Sequence, residues 1–184
     1  MKKLFIASLM MVCGIAAEAQ TGKSDNVTLN VRLNPIQTLV VNAQQKTVDI
    51  DYVTKDHYKD GVSSTQNNHL NVFSTGGFEV KVKSAGDLIN NATAGPNGNI
   101  DASSIKITAL PGTQDPLTNN VSYEPTAILT GSENTIVSST RGAVDRNIGV
   151  LYEAAGANAY IDKYVAGQTP TVFTTTVTYT IYAK

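Results

Sequence analysis

Apolar and polar residues alternate with a period of two along most of this chain, and helical spacing is scarce. Residues 26–42 read NVTLNVRLNPIQTLVVN. Val27, Leu29, Val31 and Leu33 alternate with Thr28, Asn30, Arg32 and Asn34; Pro35 interrupts, and a second apolar run, Ile36 to Val41, begins at once. Val48, Ile50 and Tyr52 alternate with Asp49 and Asp51. Leu70 and Val72 precede Ser74-Thr75-Gly76-Gly77, after which Phe78, Val80 and Val82 alternate with Glu79, Lys81 and Lys83. Gly76-Gly77 reads as a tight hairpin turn or as a bulge within one long strand. Ile105, Ile107 and Ala109 predict another strand, stopped by Pro111-Gly112, with shorter candidates at 127–129, 135–137 and 148–152. In the closing stretch TVFTTTVTYTIYAK, Val177, Tyr179, Ile181 and Ala183 share one face, and Thr178, Thr180 and Tyr182 the other. Short helices are expected, if anywhere, at 85–88 or 142–147.

Turn-forming clusters separate these runs: Lys59-Asp60-Gly61, Gly95 to Asn99, Pro111 to Pro116, Gly131 to Asn134 and Gly167 to Pro170. Many short strands closely punctuated by turns predict an all-β, immunoglobulin-like antiparallel β-sandwich. The first 19 residues stand apart. Lys2-Lys3, an apolar run over Leu4–Ala16 and the small-x-small triplet Ala17-Glu18-Ala19 read as a secretory signal cut after Ala19. The expected layout is therefore a signal peptide at 1–19, an extension at 20–34 and a sandwich domain at 35–184.

Export changes how the composition is read. The single cysteine, Cys13, falls in the signal, so the mature domain relies on packing and sheet hydrogen bonds without disulfides. Removing Lys2, Lys3 and Glu18 from 14 basic and 15 acidic side chains leaves 12 against 14. With no basic block, nucleic acid and anionic membranes are poor partners. No second apolar stretch is long enough to span a bilayer.

Signals for catalysis are thin. His57 and His69 are the only histidines and neither has a cysteine beside it, so both read as solvated loop or strand-start residues rather than zinc ligands. Ser63-Ser64 and Ser138-Ser139 have no nearby base, and no nucleophile-elbow, phosphate-loop or dinucleotide motif occurs. Asp49 and Asp51, at i and i+2, read as the wet face of a strand. Asn97 to Asp101 has oxygen ligands at a calcium-like spacing but no glutamate in register, and reads as a turn. No enzymatic activity, cofactor or metal is expected.

The two ends carry the strongest functional signal. Asn26-Val27-Thr28-Leu29, then Pro35 and Ile36 to Val40, together with GFEVKVK and the closing TVTYTIYAK, resemble the disulfide-free alpha-type pilins of chaperone–usher fimbriae. That resemblance implies a sandwich lacking its last strand. A periplasmic chaperone fills the gap first, and then the amino-terminal strand of another copy or pilin-like subunit fills it at the usher. It also implies a donor strand made of Val27, Leu29, Val31 and Leu33, an acceptor groove flanked by Val177, Tyr179, Ile181 and Tyr182, and passage through the periplasm to a fimbrium on the cell surface. The sequence departs from the pilin pattern in following Tyr182 with Ala183 and Lys184, where many pilins carry a penultimate tyrosine. The alternative is a monomeric secreted or surface-exposed immunoglobulin-like binding module, with residues 26–34 as its own first strand.

Overall fold

A computed structural model describes residues 22–90 and 98–184. The expected signal peptide, and Asn97 of the calcium-like loop, lie outside the described residues. Contacts divide the chain into two units, one ending at Leu33 and the other spanning Asn34–Lys184.

The described part of the first unit, 22–33, carries no strand, and its alternating side chains are exposed: Val27 93%, Leu29 85%, Val31 76% and Leu33 90%.

The second unit is a sandwich of two antiparallel sheets. One sheet contains β1 (Gln37–Val41), β2 (Val62–Ser74), β4 (Ile105–Pro111), β6 (Ala127–Ile128) and β8 (Ala143–Ala154), in the order β1-β2-β8-β4-β6. The other contains β3 (Phe78–Ser84), β5 (Val121–Tyr123), β7 (Asn134–Ser139) and β9 (Val177–Ala183), in the order β5-β7-β3-β9. Period-two alternation explains the packing. Phe78, Val80 and Val82 of β3 face Leu70, Val72, Ile107, Ile148 and Val150 of the first sheet, and all are essentially fully buried.

Several local expectations are corrected. Gly76-Gly77 is neither a hairpin nor a bulge. β2 pairs with β1 and β8, whereas β3 pairs with β7 and β9, so residues 75–77 carry the chain across from one sheet to the other. Gly77 suits the crossing, because a Cβ would stand 3.1 Å from the Ser139 carbonyl oxygen, a tight contact. Residues 85–88 and 142–147 are not helical; β8 already begins at Ala143. The short helix is instead α1 (Lys55–Asp60). Thr54 caps it by accepting from the His57 N–H at 3.2 Å, and Gly61, at φ +89°, ends it. Both features are written in the sequence as Thr54 and Asp60-Gly61, but six residues are too few to show helical periodicity.

His69 is not solvated; it is 2% exposed. The ladder between β2 and β8 slips between Gln66 and Leu70 around Asn68, which sits at φ +51°. Asparagine tolerates that left-handed conformation better than most side chains. The Asn68 Oδ1 accepts from the Thr113 and Gln114 N–H groups at 2.8 and 3.0 Å, and its Nδ2 donates to Thr113 Oγ1 at 2.9 Å. The extra residue breaks the alternation, and His69 and Leu70 both end up buried.

Candidate functional site

Four strands, β1, β6, β5 and β9, end the two sheets, and β1 and β9 lie near each other without a ladder between them among the described residues. At β9, the Lys184 N–H donates to the Gly77 carbonyl at 2.9 Å, and the Ala85 N–H donates to the Thr176 carbonyl at 2.9 Å. In an antiparallel ladder the bonding residues alternate. Thr178, Thr180 and Tyr182 therefore turn their backbone groups toward β3, and Val177, Tyr179, Ile181 and Ala183 turn theirs to the open side. The same reasoning applies to β1. The Asn42 N–H donates to the His69 carbonyl at 2.8 Å and the Thr75 N–H to the Ile36 carbonyl at 3.0 Å, so Leu39 and Val41 offer their backbone to the open side. The side chains of Leu39, Val41, Val177, Tyr179 and Ile181 pack on the core. Each open edge thus combines an apolar underside with unpaired peptide groups.

The chain after β1 is a third unpaired segment. Residues 48–52 were expected to form a strand but join no ladder. They keep the alternation all the same: Val48, Ile50 and Tyr52 pack on the core, and Asp49 and Asp51 are exposed. Among the described residues, 47–52 make no backbone-to-backbone hydrogen bond. This is the burial alternation of a strand without a strand partner.

A cleft of about 600 Å³ opens between this segment and residues 169–173. Val48, Ile50 and Tyr52 form one wall, Thr171 and Phe173 belong to the other, and Ile105 and Ala154 of the first sheet also line it. The cleft is closed off by tyrosines. The Tyr52 ring centroid stands 5.2 Å from that of Tyr58 on α1 and 5.1 Å, edge-on, from that of Tyr160. The Tyr52 hydroxyl donates to the Ala155 carbonyl at 2.7 Å, and burial pushes its pKa well above the ordinary tyrosine value. Where β1 and β9 run side by side their Cα atoms come within 8 Å. A strand lying between two others needs about 9.6 Å, so the room is at the cleft end.

A buried polar chain supports β9 from beneath. His69 Nδ1 meets Gln45 Oε1 at 3.1 Å, His69 Nε2 meets the Tyr152 hydroxyl at 2.9 Å, and Tyr152 meets the Tyr179 hydroxyl at 2.6 Å. With a neutral imidazole every group is satisfied: Nδ1–H donates to Gln45, Tyr152 donates to Nε2, and Tyr179 donates to Tyr152. Burial lowers the His69 pKa, which keeps the ring neutral. Burial also raises the Tyr152 pKa to about 12 and that of Tyr179 well above the ordinary value. The chain links β2 and β8 of one sheet to β9 of the other. Sequence reading missed it because only the bulge at Asn68 turns His69 inward.

Of the residues expected to flank a groove, Val177, Tyr179 and Ile181 lie on the open edge with their side chains on the core. Tyr182 faces outward instead. Its hydroxyl bonds both Glu133 carboxylate oxygens at 3.0 Å, and Lys81 Nζ sits 5.2 Å from its ring centre. Residues 48–52 and 169–173 were read as a strand and as a turn with the chain beyond it, not as walls of a cleft. Their signal in the sequence was an alternating run at Val48–Tyr52, which reads the same in paired and unpaired strands. Asp101, from the calcium-like loop, caps a turn by accepting from the Ser103 N–H at 2.9 Å and hydroxyl at 2.7 Å. No group of three or more potential metal ligands occurs among the described residues, and none of their helices is long and apolar enough to cross a membrane.

In comparisons with known proteins, neither a protein-family model nor a curated protein matches the chain.

Proposed function

We propose that this protein is a structural subunit of a surface filament that assembles by strand donation. In this reading, Val27, Leu29, Val31 and Leu33 of one molecule enter the unfilled edge of the next. The observation that carries the reading is the unpaired wall at 47–52 facing 169–173, residues that precede the open strand β9 in the chain. A strand added there pairs with the backbone of 169–173 and then of Val177, Tyr179 and Ile181 on one side, and with residues 47–52 and then β1 on the other, and covers the apolar underside. Full insertion requires β1 and β9 to separate by at least about 1.6 Å.

The energetics are adequate. Burying each donor side chain is worth about 1.5–3 kcal/mol, so the four together contribute at most about 6–12 kcal/mol, with ladder bonds in addition. The exposure of these side chains makes nearly all of that burial available. Export, a periplasmic chaperone and an usher belong to the reading through the pilin resemblance, and the role is structural rather than catalytic.

The test is electrophoresis of native material sheared from the cell surface, unboiled against boiled, beside Val31→Arg. Strand donation predicts a ladder of multiples that collapses on boiling and is lost in the variant. A single monomer band from native wild-type material refutes it.

A further inference from the structure

We propose that the occupant of the cleft is a second copy of this same chain, selected by Arg32 of the donor meeting Asp49 and Asp51 of the acceptor. The inference rests on the strand-donation reading and adds the identity of the partner.

When Val27, Leu29, Val31 and Leu33 point inward, Thr28, Asn30, Arg32 and Asn34 point outward. Arg32 is the only charged residue from Asn26 to Asn34. On the acceptor, the outward positions of the 47–52 wall are Asp49 and Asp51. Both are exposed, and neither takes part in an ion pair among the described residues. The opposite wall and β9, residues 171–183, contain no charged side chain, and β1 contains none either. Lys163 also borders the cleft, and it is already engaged with another group.

Apart from Lys163, the charges on the acceptor walls are therefore two carboxylates on one side, and the donor carries one guanidinium. Outward side chains on neighbouring strands stand about 4.5–5.5 Å apart directly opposite and 7–8 Å apart diagonally, measured between Cβ atoms. Asp49 and Asp51 are about 7 Å apart along the wall, so an arginine facing either one reaches a carboxylate. A foreign donor with an acidic residue at this position meets two like charges, and such repulsion is an effective source of selectivity.

The experiment compares unboiled ladders from cells making the full chain as wild type, Val31→Arg, Arg32→Glu, the paired Asp49→Lys with Asp51→Lys, and the two charge variants co-expressed. Arg32→Glu and the double lysine variant are each expected to reduce multimers about three- to ten-fold, the scale of exchanging an attractive charge pair for a repulsive one. Co-expression is expected to restore mixed multimers in which lysine acceptors take glutamate donors. All three positions are exposed, so folding is not at stake. If the charge variants assemble as wild type does, or if co-expression fails to restore assembly, the Arg32–Asp pairing is overturned while strand donation stands on the loss seen in Val31→Arg. If the wild type gives no ladder, or Val31→Arg assembles normally, strand donation falls and this inference falls with it.

Discussion

The buried chain from Gln45 through His69 and Tyr152 to Tyr179 makes stability depend on pH in a defined direction. His69 has a lowered pKa in the fold because burial disfavours the charged ring, whereas in the unfolded chain it titrates near 6.5. Below about pH 6.5 the unfolded state therefore binds a proton that the folded state refuses. Stability from the neutral ring is complete above that pH. It is lost as pH falls from about 6.5 toward the folded pKa. One proton bound differentially gives a slope of at most about 1.4 kcal/mol per pH unit. Urea unfolding with a slope of about 2 kcal/mol per M converts this to a midpoint loss of up to about 0.7 M per unit.

The assay is urea unfolding followed by circular dichroism at half-unit steps from pH 5 to 8, with His57→Gln as the background so that His69 is the only histidine. His69→Phe in that background keeps a ring but removes the titration. It is expected to lower stability at pH 7, because the Tyr152 hydroxyl loses its acceptor, and to flatten the profile between pH 5 and 6.5. The reasoning is refuted if the slope in that window survives in His69→Phe, or if the His69-containing protein gains stability on acidification.

Three further outcomes follow from the geometry. Asn68→Ala loses three side-chain hydrogen bonds and holds a Cβ at φ +51°, so it is expected to cost about 2–5 kcal/mol; Asn68→Gly keeps only the hydrogen-bond part and should cost about 1–2 kcal/mol less, as read by urea unfolding. Phe78→Ala removes a fully buried ring between the sheets and is expected to cost about 3–5 kcal/mol by the same measurement. Val31→Arg, at a position 76% exposed, is expected to leave thermal unfolding of the isolated monomer within about 0.5 kcal/mol of wild type, which separates loss of assembly from loss of fold.

Alternation was enough to place β3 and β4, because each buries one face and period two leaves no doubt about which, and β9, whose Val177, Tyr179 and Ile181 pack on the core. The same alternation could not separate Val27–Leu33 from Phe78–Val82. An exposed segment and a core strand have the same pattern, and they differ only in what lies against them. Nor could it show that Val48–Tyr52 alternates in burial without joining a ladder, since backbone pairing leaves no trace in side-chain spacing.

Local chemistry marked the caps and turns at Thr54, Gly61 and Asp101, where a side chain bonds its own neighbourhood. His69 needed the tertiary structure, because its burial depends on a bulge held by Thr113 and Gln114, 45 and 46 residues away. By itself, the sequence determined an all-β sandwich with one strongly alternating segment at its amino-terminal side, because those are consequences of local period and turn residues. Only the fold decided that β1 and β9 end as open edges and that a cleft separates 48–52 from 169–173. Sheet order joins residues more than a hundred positions apart, and no local pattern encodes which edge is left without a neighbour.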